Sequence, residues 1–185
     1  MVSLAGQYRI QARANRLANH RLHAAMAALP DAEFHAPRVS FFPSLAATLN
    51  HILAVDLYYI GALQGDAGLV RVYRDFVPAS SLGELEARQR ASDERLIAWC
   101  DGLDEAGCDA MVAMDRGDHV QRDRAAHVLA HLFMHQTHHR GQVHAMLAGT
   151  TVAPPQLDEF LLPSDAKFRV ADMAALGWRE ADVYG

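Results

Sequence analysis

Along four stretches of this chain, apolar residues return every three or four positions, the period of amphipathic helices. The most informative stretch runs from Asp123 to Gly149, DRAAHVLAHLFMHQTHHRGQVHAMLAG, with no proline inside it and Gly149 at a helix stop. At about 100° per residue, Val128, Leu132, Val143 and Met146 share one apolar face. Upstream, a first helix is predicted over Gln7 to Ala28, with Tyr8, Ala12, Leu17 and Leu22 in its stripe and Pro30 ending it. Ser44 caps a second, Leu45 to Leu63, whose face collects Leu45, Leu49, Ile52, Tyr59, Ile60 and Leu63. Ser81 and Glu84 form a capping box that opens a third helix reaching about Cys100, with Leu82, Leu85, Leu96 and Trp99 turned inward.

The connections are polar or broken. PDAEFHAPRVSFFPS carries three prolines and an exposed His35, and Gly65 to Ala79 contains Gly68 and Pro78. Weak alternation over Cys108 to Gln121, around Asp115-Arg116-Gly117-Asp118, predicts a short hairpin or loop before the fourth helix. After Gly149 the prolines deny a long fifth helix, while Leu157, Phe160, Leu161 and Leu162 are apolar enough to pack back over the mouth of a pocket. The pattern predicts an all-α helical bundle, a single domain over 1–185 with 150–185 as an irregular C-terminal extension.

Composition narrows the function. The net charge is −5 and no basic cluster stands out, which argues against nucleic acid as a partner. The N-terminal MVSLAGQYRIQARANRL has no signal-peptide core, and no apolar run approaches the roughly 20 residues of a membrane span, so a cytoplasmic protein with no membrane partner is expected. Cys100 and Cys108 lack the spacing of a zinc knuckle and read as packed thiols.

The candidate chemistry lies in the histidines. Six of the 11 fall in the last helix: His127, His131, His135, His138, His139 and His144. His135 and His139 sit one turn apart inside the apolar face, His131 and Gln142 flank it, His127 and His138 lie further round, and His144 points to the opposite side. A buried imidazole without a partner costs about 1–3 kcal/mol. Two readings satisfy these two: core histidines bonded to carboxylates or backbone, or ligands of one divalent metal. His51, at the edge of the second helix, supplies a third nitrogen if the two helices face each other. Three neutral nitrogens suit Zn²⁺ or Ni²⁺ and leave a position open for water or substrate, whereas structural zinc sites usually have four protein ligands. The run is not a zincin, because Gln136 stands where H-E-x-x-H needs its glutamate. Asp56 falls mid-face in the second helix, too far round the wheel to orient His51, and needs a partner from Arg16, Asn15, Arg140 or His138, with Arg140 the favoured one.

LAATLNHILAVDLYYIGALQG, followed far downstream by FMHQTHHRGQVHAML, resembles the DinB/YfiT-like superfamily of metalloenzymes, whose fold bacillithiol S-transferases and mycothiol-dependent maleylpyruvate isomerases share. The resemblance covers helices one, two and four, and the C-terminal 30 or so residues do not contribute to it. It implies an up-down-down-up four-helix bundle, often a homodimer, with a metal triad that carries over to His51, His135 and His139. It further implies, as a class, a metal-dependent enzyme acting on a small-molecule substrate by thiol transfer or a related addition or hydrolysis. A low-molecular-weight thiol is then a possible cofactor, though no thiol-cofactor motif is present. His131, His138, Gln142 and Arg140 are the candidate catalytic or supporting residues, and Tyr58 and Tyr59 candidate pocket walls. A non-catalytic stress-related metal-binding or sensor protein is the alternative, and a purely structural role for the histidines a third.

Overall fold

Three of the four long helices start where a serine hydroxyl accepts from a free N–H group; the last is entered directly from a strand, with no side-chain cap. The computed structural model describes residues 3–184, and Ser3 caps α1 (Leu4–Met26) by accepting from Gly6 N at 3.0 Å, which starts this helix three residues earlier than its apolar stripe suggests. A short α2 (Asp31–His35) lies in the proline-rich link. Ser44 accepts from Ala47 N at 3.0 Å and opens α3 (Leu45–Gln64), which ends at Gly65 with φ 74°, a left-handed position that favours glycine. After α4 (Leu69–Arg74), Ser81 caps α5 (Leu82–Asp101) through Glu84 N; the Glu84 carboxylate reaches back to Ser80 N rather than to Ser81, so the capping box is displaced by one residue.

A single turn, α6 (Glu105–Asp109), precedes the hairpin of β1 (Met111–Asp115) and β2 (Val120–Arg124), antiparallel from Met111 opposite Arg124 to Asp115 opposite Val120. Gly117 turns the hairpin at φ 97°. The fold is thus mostly helical with one small sheet, placed slightly later than the weak alternation indicates. α7 (Ala125–Leu147) follows directly, so Asp123 and Arg124 belong to the strand. The C-terminal extension carries a 3-10 turn (Pro163–Phe168), α8 (Val170–Ala175) and α9 (Glu180–Tyr184). It packs on α1, where Phe160, Met173 and Val183 meet Ala14, Leu17 and Ala18. Leu161 and Leu162 remain exposed.

α3 is the central helix. It is long and apolar enough by composition to cross a membrane, yet 78% of that window is buried inside the protein, as in the core helix of a globular fold. It packs against α7 and α5, while α1 packs against α5 and α7. Arg9 reaches Leu103 O while Asn19 reaches Asp93, so α1 and α5 run in opposite directions; His51 meets His135 while Tyr59 meets His131, so α3 and α7 do too.

At mid-height all four long helices enter one buried polar layer. Asp93 on α5 accepts from Asn15 Nδ2 at 3.3 Å, Asn19 Nδ2 at 3.0 Å and Gln89 Nε2 at 3.1 Å. Gln89 also donates to Asp56 on α3 at 2.7 Å, and Gln136 on α7 donates to the same carboxylate. Arg140 donates to Gln136 Oε1 at 3.0 Å, to Asn19 Oδ1 at 3.1 Å and to Asn15 Oδ1. Asp56 and Arg140 therefore do not pair directly: the Gln136 amide stands between them, giving its N–H to one and its oxygen to the other. Burial pushes Asp93 up to about 6 and Asp56 well above the usual carboxylate range, and pushes Arg140 down to about 10.

Replacing Asp93 by Leu orphans three buried donors and is expected to cost about 3–5 kcal/mol in urea unfolding, whereas Arg90→Ala, which breaks an exposed pair with Glu94, leaves the midpoint unchanged. Because the folded pKa of Asp93 lies above its unfolded value, its contribution is full below about pH 4 and is lost as the pH rises through about 6. Wild type should therefore lose on the order of 2–3 kcal/mol more stability than Asp93→Asn between pH 4 and 7, by urea unfolding at each pH.

Candidate metal centre

The polar layer lies on one side of α7 and a histidine cluster on the next. Val128 and Met146 are buried as expected, but so are Ala125, Leu129, Gln136, Arg140 and Leu147, which widens the inward face of α7 and puts Val128 and Met146 near one edge of it. His135 consequently sits at the edge of that face, half-buried, with His139 one turn on and buried. α3 lies against this edge and presents His51.

The three rings converge. His51 Nε2 and His135 Nε2 are 3.0 Å apart, and one nitrogen from each of His51, His135 and His139 lies within 4.8 Å of the other two. Ring centroids are 5.0 Å apart for His51–His135, 4.7 Å for His51–His139 and 4.4 Å for His135–His139. Two bonds of about 2.1 Å meeting at 90–110° on one ion hold their nitrogens about 3.0–3.4 Å apart. The His51–His135 separation falls in that range, and His139 completes the group with a nitrogen within 4.8 Å of the other two. Among the described residues no further histidine, cysteine or carboxylate joins the group.

Protonation favours lone pairs over charge. Burial lowers all three pKa values, and for His135 burial and then the four neighbouring imidazoles of His139, His51, His131 and His138 bring it to about 3. Neutral imidazole is the ligating form. Gln142 Oε1 accepts from His139 Nδ1 at 2.8 Å, which leaves His139 Nε2 with its lone pair, and the Gln142 amide donates to His138 Nε2 at 3.1 Å. His135 Nδ1 is buried and meets no hydrogen-bond partner among the described residues, so the polar contacts of this ring are made through Nε2, the atom that faces His51.

The remaining sequence candidates separate cleanly. His138 and Gln142 back onto His139, as just described. His131 stands one turn before His135, ring centroids 6.3 Å apart, and is exposed to the cavity beside it. Arg140 is turned into the polar layer and lines a small cavity of about 200 Å³ together with Phe160 and Leu161 of the C-terminal segment. His127 is exposed, and His144 meets Pro155 O at 3.0 Å. His35 is exposed as expected, with Nε2 3.1 Å from Ser80 O. Cys100 and Cys108 are free and buried, and burial pushes Cys100 up to about 12, an inert thiol.

Two clefts flank the triad. One, about 530 Å³, holds His135, His131, Tyr58, Tyr59 and Arg116; the other, also about 530 Å³, holds His51, Asn50 and Phe76, and Tyr73 lines both. A larger cavity, about 700 Å³, lies between the end of α3 and the hairpin and touches none of the three histidines. Phe42, from the proline-rich link, lays its ring over His51 at 4.4 Å and His139 at 5.7 Å. The sequence pattern does not mark Phe42, Tyr73 or Arg116: Phe42 lies in the irregular link, Arg116 on the four-residue hairpin turn, and Tyr73 in α4, a helix of six residues too short for a period to assign a face. The signal for Phe42 was its place two residues before the Ser44 cap, which aims it along the start of α3.

The sequence matches the DinB family over residues 10–170, a span that contains all three histidines. It is also 26% identical over 154 residues to the Protein DinB of Bacillus subtilis (strain 168), covering 80% of this chain and 89% of that relative. On the family match, which extends over most of its length, this chain belongs to the DinB family.

Proposed function

We propose that this protein is a metal-dependent enzyme acting on a small molecule by thiol transfer or a related addition or hydrolysis. The observation that carries the reading is the convergence of three neutral imidazole nitrogens, from His51, His135 and His139, beside open clefts and without a fourth protein ligand among the described residues. These residues would hold a divalent ion, with Zn²⁺ or Ni²⁺ suiting a three-nitrogen donor set. Bound there, the ion supplies a Lewis acid that lowers the pKa of a thiol or water at its open position.

The chain's own residues set the conditions for that chemistry. Gln142 orients His139, and because an amide does not ionise it acts by holding the ring rather than by moving a proton. His131 is placed to take a proton from a group bound in the cleft beside His135. Phe42 shields one side of the triad from water. We read the four long helices as an up-down-down-up bundle, a reading supported by the directions of the α1–α5 and α3–α7 contacts. A homodimer and a cytoplasmic location are the matching proposals for assembly and place. A non-catalytic metal-binding or sensor role is the competing reading, favoured by the ring of Phe42 over the site.

Untagged protein is expected to carry one divalent transition-metal ion per chain by elemental analysis, and His135→Ala to lose it while keeping its helical circular dichroism. Equal metal content in the two proteins would reject the assignment. Gln142→Leu, which removes the acceptor from His139 Nδ1, should weaken metal affinity by about tenfold or more in competition with a chromophoric chelator.

A further inference from the structure

The cleft beside His135 has a far wall that the triad does not explain. Arg116, at the hairpin turn, spreads its guanidinium over Tyr58 at 5.0 Å and Tyr59 at 5.6 Å. From there a row of rings leads to the metal site: Tyr59 to His131 at 5.1 Å, His131 to His135 at 6.3 Å. All five residues line the same cavity. The guanidinium is held in place without being neutralised. Its Nε donates to Gln121 Oε1 at 3.1 Å and its Nη2 to the Tyr59 hydroxyl at 3.2 Å; the Asp123 carboxylate bears on it electrostatically, but among the described residues no carboxylate lies within ion-pair distance of it.

Of the other charged residues lining the cleft, Arg74 is paired and Asp115 is held within the turn with its charge retained. Arg74 is paired with Asp75 at 2.8 Å. The Asp115 carboxylate accepts Gly117 N at 2.9 Å within the turn, and Asp115 O accepts from the Tyr58 hydroxyl at 2.7 Å. Among the described residues Arg116 is thus the cation lining this cavity that no carboxylate pairs, it stands against two aromatic walls, and the Tyr59 hydroxyl, having accepted from Arg116, keeps its own proton to donate. A planar fork of N–H donors matches a carboxylate, and a single uncompensated charge near Asp115 favours a monoanion over a phosphate dianion.

From this we propose that the cleft selects small molecules carrying a carboxylate, with Arg116 binding the carboxylate at one end while the reacting group lies beside His135. Arg116 is then a specificity-determining residue, and the proposal rests on the metal reading given above. The anion and the reacting group occupy opposite ends of one aromatic slot, so the substrate is elongated and bifunctional.

The test uses cobalt-substituted protein and three thiol acids of increasing length, mercaptoacetate, mercaptobutyrate and mercaptohexanoate, each against its methyl ester. Thiolate binding at the metal is read from the sulfur-to-cobalt charge-transfer band. At one length or more the acid should bind about tenfold to a hundredfold tighter than its ester, and Arg116→Gln should erase the difference while leaving ester affinity unchanged. Arg116→Lys should retain part of the preference. Bands of equal affinity for acid and ester at every length, or a preference that survives in Arg116→Gln, would overturn the carboxylate site while leaving the metal centre intact. No band with any thiol, esters included, would overturn the open metal position and this proposal together.

Discussion

One buried hydrogen-bonded layer ties the four long helices to each other, and the geometry of the histidine site depends on it. Asn15 and Asn19, Asp56, Gln89 and Asp93, Gln136 and Arg140 come from four different segments and satisfy one another almost completely away from water. Apolar packing alone tolerates sliding and rotation of helices. A polar layer does not, because a shift leaves donors or acceptors unpaired at about 1–3 kcal/mol each. Gln136 and Arg140 are the contribution of α7 to the layer, and each is the immediate neighbour of a triad histidine in sequence. Fixing their contacts to α3 and α1 fixes the direction in which His135 and His139 leave the helix.

That coupling explains why α7 carries such an unusual run of polar residues at its centre. One side supplies the layer and the adjacent side supplies the triad, so the middle of the helix has few purely apolar positions. Stability comes from the apolar clusters above and below. Tyr8, Leu96, Leu129 and Leu132 pack at one end and Leu22, Leu53, Leu85 and Leu147 at the other. The polar belt between them specifies register, and the charges within it are moderated by burial rather than by direct ion pairing.

The sequence made much of this legible. Period, caps and proline positions located the four long helices, because those signals are local. His135 and His139 stood out because imidazoles occupied positions where an apolar residue belongs, and Asp56 for the same reason. The partner of Asp56 was not legible. Matching opposite charges points to Arg140, whereas the structure uses two neutral glutamines, and an amide gives no charge signal. Gln136 itself was read as the absence of a catalytic glutamate, although it lies one turn before Arg140 along the buried stripe. Phe42 and Arg116 belong to segments without periodicity and Tyr73 to a helix of six residues, too short to show one, so only tertiary packing brings them to the site.

The central claim is that three imidazoles from α3 and α7 share one ion. Anomalous diffraction at the absorption edge of the bound metal, from crystals of untagged protein, tests it most directly. A single peak about 2.0–2.3 Å from the Nε2 atoms of His51, His135 and His139 is the predicted result. A peak on the exposed histidines of α7, or no peak between α3 and α7, would contradict it.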